Sequence, residues 1–146
     1  MRFALAIALA LSALSVHAQA TRTTPLTGTE IRNEIIGLTL DGEYQDGMKW
    51  RERLGTDGTS VYEQDGAVAK GTISFRGPRI CFTYENEFSG GCFEVWRRSF
   101  NCFDFYSLND DGTLGATAMQ RRNGIGWTAR AWRADQPSTC VSDQIA

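Results

Sequence analysis

Four cysteines, a single histidine and three closely spaced acidic pairs are the residues of this 146-residue chain with obvious chemistry to offer. The histidine, His17, falls within residues 1–20, which read as a secretory signal peptide. Arg2 is the positive start, residues 3–14 are the apolar run and Ala18-Gln19-Ala20 is the small-residue cleavage site. The run is shorter than the roughly 20 residues that span a bilayer, so no integral membrane segment is expected after cleavage. Residues 21–146 then contain no imidazole, which removes Ser-His-Asp and Cys-His nucleophiles. The acidic pairs are Glu85 with Glu87, Asp110 with Asp111, and Asp41 with Glu43. Glycoside hydrolysis needs two carboxylates facing a cleft. These pairs instead lie in or beside turn-rich stretches, where acids serve solvation and local hydrogen bonding. No catalytic residue is assigned, and a non-enzymatic protein is expected.

Metal and cofactor chemistry finds as little support. Cys81, Cys92, Cys102 and Cys140 lack the C-x-x-C spacing and histidine partners that zinc sites usually use. An even count in an exported chain points to two disulfides. The segment Ser107-x-Asn109-x-Asp111-Gly112 resembles a calcium loop superficially. It has no acid at the first position, and Ala118 stands where the bidentate glutamate belongs. A hairpin turn is expected there, with no metal and no cofactor. The chain carries a net charge of −2, and −3 once Arg2 leaves with the leader, so nothing drives it globally toward nucleic acid. Arginines do interleave with aromatics at Trp96-Arg97-Arg98-Ser99-Phe100 and from Arg121 through Trp127, Arg130, Trp132 and Arg133. They could form a cationic aromatic surface. The competing reading, which we favour, is that their stems cover outer aromatics while their heads pair with acids.

The elements that must position these residues are legible in outline. Residues 26–37 form the one convincing helix. Thr27 and Glu30 make a capping box, Leu26 and Ile31 a hydrophobic staple, and Ile31, Ile35 and Ile36 an apolar stripe ending at Gly37. Beyond it the dipeptides Asp41-Gly42, Asp46-Gly47, Asp57-Gly58, Asp65-Gly66, Asp111-Gly112 and Asn123-Gly124 read as turns. Between them lie β-rich runs at 48–54, 60–63, 68–75, 79–84, 92–97, 102–108, 113–121 and 126–132. The fold expected is mainly β: one short N-terminal helix, then an antiparallel meander of eight or nine strands. It closes as a small single-domain barrel, with a sandwich as the alternative.

Alternation within the runs also pairs the cysteines. Ile80, Phe82 and Tyr84 alternate with Cys81 and Thr83, and Phe93 and Val95 with Cys92 and Glu94. Placing Cys81 opposite Cys92 points both apolar sets inward, sets Ile80 against Phe93 and Arg79 against Glu94, and leaves 85–90 as the loop. Cys102–Cys140 follows by elimination. The inward set is Trp50, Ile73, Phe75, Phe82, Tyr84, Phe93, Val95, Phe103 and Phe105. Such large aromatics favour a filled barrel. If the barrel is hollow instead, Trp50, Phe75, Phe82, Tyr84, Phe93, Phe103 and Phe105 would line a site for a small apolar ligand.

The order Leu26-Thr27-Gly28-Thr29-Glu30-Ile31-Arg32, Gly37-Leu38-Thr39-Leu40, Trp50, Asp57-Gly58-Thr59, Gly71-Thr72, Cys81 and Cys92 resembles a small exported family of Gram-negative bacteria described only as a domain of unknown function. The family usually places an aromatic soon after the central Gly-Thr, whereas Ile73-Ser74-Phe75 puts it later here. The resemblance implies a periplasmic or secreted, disulfide-bearing, mostly β domain, and it transfers no catalytic residues. The helix-then-meander order also has a looser likeness to lipocalin-like barrels, without their first-strand Gly-x-Trp. Three functions follow as expectations: a binding module for a small apolar ligand or an envelope protein; an inhibitor or envelope factor acting through loops such as 85–91; and a carboxylate-dependent hydrolase, which has the least support.

Overall fold

The computed structural model describes residues 23–85 and 88–141; the leader read at 1–20 and Glu87 of the first acidic pair lie outside them. Eight antiparallel strands, each bonded to the next in sequence, close into a barrel when β8 returns to β1. They are β1 (Thr39–Tyr44), β2 (Lys49–Leu54), β3 (Thr59–Gln64), β4 (Ala67–Arg76), β5 (Arg79–Tyr84), β6 (Gly91–Ser99), β7 (Cys102–Ser107) and β8 (Ala129–Arg133). The sandwich alternative is thereby excluded. Helix α1 (Gly28–Ile35) begins with the expected capping box: Glu30 donates its amide to the Thr27 hydroxyl at 3.2 Å, and Thr27 donates its amide to the Glu30 carboxylate at 2.8 Å.

One end of the barrel is sealed by α1. Leu26, Ile31 and Ile35 are fully buried against Leu40, Leu54, Ile80, Val95 and Phe103. Leu26 donates its amide to the Val95 carbonyl at 2.8 Å, Gly37 does the same to Leu54, and Arg97 pairs with Glu34 to hold the helix to β6. Gly28 passes so close to the β4–β5 turn that a Cβ would lie 2.9 Å from the Gly77 carbonyl. The opposite end carries the β1–β2 and β3–β4 turns, the segment before β6 and the long 108–128 excursion.

Two sequence expectations are corrected here. Asp41-Gly42 is no turn: it lies in mid-β1, with Gly42 paired to Trp50. Gly42 is there because the Trp50 indole lies across its backbone, so that a Cβ would sit 2.2 Å from the ring. Gly42→Ala should therefore cost about 2 kcal/mol by overpacking, read as a lower urea midpoint at unchanged m. The strand expected over 113–121 is also absent. Leu114 forms an isolated bridge to Leu108, and a second capping box, Thr117 with Gln120, starts the short helix α2 (Ala118–Arg122).

Both disulfides form as expected. Cys81 and Cys92 are directly opposed, with Cα atoms 4.0 Å apart, and Cys102–Cys140 ties the C-terminal tail to β7. The bridge to the tail closes the longer loop and so removes more entropy from the unfolded chain, on the order of 4 kcal/mol. Buried Asn101 reinforces it, donating to the carbonyls of Arg133, Gln136 and Pro137 while accepting the Arg133 amide.

The expected Arg79–Glu94 pairing does not form. Glu94 accepts from the Trp96 indole at 2.7 Å and pairs with Arg121 at 2.8 Å. The reason is that the outer face of β6–β8 is a second core, covered by the 108–128 excursion, with Trp96, Tyr106, Ala116 and Trp127 buried in it. The arginine and aromatic segments meet inside this layer. Arg98 and Arg130 both pair with fully buried Asp104, and their guanidinium carbons lie 5.3 Å from the Trp96 ring and 4.6 Å from the Trp127 ring. At Arg98 and Arg130 it is the guanidinium heads themselves that lie over the aromatic rings while pairing with Asp104.

Candidate functional site

Strand alternation points Trp50, Glu52 and Leu54 of β2 into the barrel, with Ser60, Tyr62 and Gln64 of β3 beside them. From β5 come Phe82 and Tyr84, and from β6 Phe93. Space for these rings comes from small inward residues: Gly42 under Trp50, Gly71 under Tyr84, and Ala129 and Ala131 of β8. A Cβ on Gly71 would lie 2.6 Å from the Tyr84 ring. The aromatics form a continuous chain. Centroid separations run 6.1 Å for Tyr44–Trp50, 6.2 Å for Trp50–Tyr62, 5.3 Å for Tyr62–Tyr84, 6.2 Å for Tyr84–Phe82 and 6.0 Å for Phe82–Phe93. Phe88, from the segment before β6, meets Tyr62 edge-on at 5.2 Å.

These residues bound two adjoining spaces. The outer one, at the end opposite α1, is a mouth of about 710 Å³ lined by Tyr44, Asp46, Met48, Tyr62, Gln64, Tyr84, Phe88, Phe93, Trp127 and Thr128 among others. The inner one, of about 40 Å³, lies among Leu40, Tyr44, Trp50, Glu52, Tyr62, Phe82, Tyr84, Phe93, Phe105 and Ala129. Tyr44, Tyr62, Tyr84 and Phe93 belong to both, so the second is the floor of the first. The barrel is thus filled at the helix end and hollow at the other.

Polar groups in this aromatic setting are few and ordered. Tyr84 donates its hydroxyl to Glu52 Oε1 at 2.7 Å. Tyr62 donates to Gln64 Oε1 at 2.8 Å, so in the 2.8 Å contact between the Tyr44 and Tyr62 hydroxyls it is Tyr44 that donates. Glu52 is 4 % exposed, and burial pushes its carboxyl up to about 7, against the opposing pull of the Tyr84 hydrogen bond and the nearby Ser60 hydroxyl. Burial also raises Tyr84, Tyr62 and Tyr44, so the three phenols stay neutral donors at ordinary pH. The Trp50 indole N–H is buried without a partner in the protein. Among the described residues lining the mouth or the floor there is no Lys or Arg, while Asp46 and Glu52 are acidic.

Of the seven lining residues expected from sequence, Trp50, Phe82, Tyr84, Phe93 and Phe105 border these spaces. Phe75 and Phe103 do not. Phe75 sits at the α1 end with the Arg32 guanidinium 3.7 Å over its ring, and Phe103 is buried in the core against α1. The residues missed are Tyr44, Glu52, Tyr62, Gln64 and Phe88. Period-two reading of Trp50-x-Glu52 and Ser60-x-Tyr62-x-Gln64 carries the signal for most of them.

The other candidate chemistries resolve into local structure. Asp41 pairs with Arg51 and Glu43 with Lys49 on the outside of the barrel. Asp111 caps a hairpin turn by accepting the Thr113 amide at 2.9 Å and its hydroxyl at 2.6 Å. Among the described residues no group of three or more potential metal ligands converges. No family model, curated protein or solved structure matches the chain, so the geometry alone carries the functional argument.

Proposed function

We propose that this is an exported, non-enzymatic binding module that holds one small ligand with an apolar body in the open end of its barrel. The observation that carries this reading is the mouth of about 710 Å³ opening onto an aromatic floor. Its size falls in the range typical of small-molecule sites, and its composition, mostly rings with a few convergent polar groups, is the usual one. The two disulfides suit an oxidising compartment such as the periplasm or the extracellular space. Docking of an envelope protein through residues 85–91 has less to support it, because Phe88, Ser89 and Gly90 help to line the mouth.

The test is titration with 1-anilinonaphthalene, a neutral aromatic dye. The expected result is saturable, one-to-one enhancement of dye fluorescence accompanied by a change in tryptophan emission from Trp50 and Trp127. Gln64→Trp, which fills the mouth from the end of β3, should abolish it. Absence of saturable binding to the folded protein, or binding indifferent to Gln64→Trp, would overturn the proposal.

A further inference from the structure

The barrel floor holds a buried acid with no basic neighbour among the described residues. Glu52 faces Tyr84 from β5, Tyr62 and Ser60 from β3, and Tyr44 from β1, and all of these are neutral hydroxyls. The other acid along the cavity is Asp46 at the rim, and no described lining residue is cationic. A buried carboxylate is stable when a positive charge meets it. Here the described residues supply none, and the walls around it are ring faces, which attract cations through their quadrupoles. The floor space of about 40 Å³ limits the size of the group that can enter. Small beside the mouth, it suits the narrow end of a ligand, such as a primary ammonium.

From this geometry we infer that the site recognises a primary amine with an apolar or aromatic body: its ammonium sits on the floor against Glu52, and its body fills the mouth among Tyr44, Tyr62, Phe88 and Phe93. The inference rests on the mouth being a ligand site and adds the charge and shape of what it takes. Glu52 must be ionised to pair with the amine. Burial raises its carboxyl to about 7, so affinity should rise as pH passes from 6 to 8 while the amine stays protonated.

The experiment compares 2-phenylethylamine with its neutral isostere 2-phenylethanol and with 3-phenylpropionate, each competing against 1-anilinonaphthalene at pH 8. The amine should bind roughly 10- to 100-fold more tightly than the alcohol, the range expected for a hydrogen bond between charged groups, and the acid should bind weakest. Glu52→Gln should bring the amine-to-alcohol ratio to about one. The wild-type pH series is an independent arm if that variant fails to fold. Equal binding of amine and alcohol by the wild type at pH 8, or an amine affinity flat from pH 6 to 8, would overturn the assignment while dye binding leaves the cavity reading standing. Loss of dye binding itself would overturn the cavity reading.

Discussion

Asp104→Ala is expected to destabilise the domain by about 3–5 kcal/mol. Asp104 is fully buried, and two guanidiniums converge on it. Arg130 donates from Nε at 2.7 Å to one carboxylate oxygen and from Nη2 at 3.3 Å to the other, which also receives Arg98 Nε. Those arginine side chains are themselves only 10 % and 6 % exposed. Removing the acid takes from Arg98 its carboxylate partner and from Arg130 the carboxylate it meets at 2.7 Å, and the loss is dominated by the desolvation of these guanidiniums. For a domain of this size the melting temperature should fall by roughly 10–20 °C. Arg98 also donates to the Tyr106 hydroxyl at 2.6 Å and to the Arg121 and Arg122 carbonyls. The variant should therefore loosen the 108–128 excursion before the barrel itself, visible as faster amide exchange there than in β1–β5. The discriminating control replaces all three charges together: Asp104→Leu with Arg98→Met and Arg130→Leu should recover most of the loss. If the triple variant is as unstable as the single one, uncompensated charge is not the cause.

This outer layer explains much of what the sequence left unread. Period-two alternation assigns a residue to one face of a strand, and the outer face of a lone barrel is expected to meet water. The strand β7 violates that expectation, since all of Cys102–Tyr106 is buried. The inner face packs the barrel and the outer face packs under the excursion. Nothing local in Cys102-Phe103-Asp104-Phe105-Tyr106 announces a cover supplied by residues ten to twenty places further on. Local register sets Glu94 against Arg79 for the same reason, because its real partner Arg121 arrives on that cover. Signals within a few residues of each other were legible. Thr27 and Glu30, and Cys81 opposite Cys92, each needed only local spacing and one register to be read correctly.

Depth along the barrel was harder to read than direction. Phe75 and Phe103 point inward as expected, yet they belong to the end that α1 seals, because alternation carries no information about level. Glu52 is a solitary acid, and paired-carboxylate spacing carries no signal for it. Its inward position was nonetheless fixed by Trp50 and Leu54 on either side. Asp41-Gly42 reads as a turn because Asp-Gly favours turns wherever only local preference acts. At Gly42 the deciding factor is the Trp50 indole on the neighbouring strand, a cross-strand requirement that outweighs turn preference.

The acid at the barrel floor also predicts how stability depends on pH, without any ligand. Glu52 ordinarily titrates near 4.5, as it does in the unfolded chain, and burial first of all raises it to about 7 in the folded barrel. Between those values the folded state holds a proton that the unfolded state has released, so stability falls as pH rises through that window and levels off above about 7. The full difference is on the order of 3 kcal/mol in favour of acidic conditions. Glu52→Gln removes this contribution while keeping the Tyr84 hydroxyl partnered by the amide oxygen. The variant should thus gain on the wild type as pH increases, with most of the gain falling between pH 5 and 8. Urea unfolding of both proteins at pH 5, 6, 7 and 8 measures the difference directly, since every other titrating group cancels between them. A constant gap across that range would mean that Glu52 stays ionised inside the barrel. The pairing proposed for the ammonium ligand would then already be satisfied within the protein.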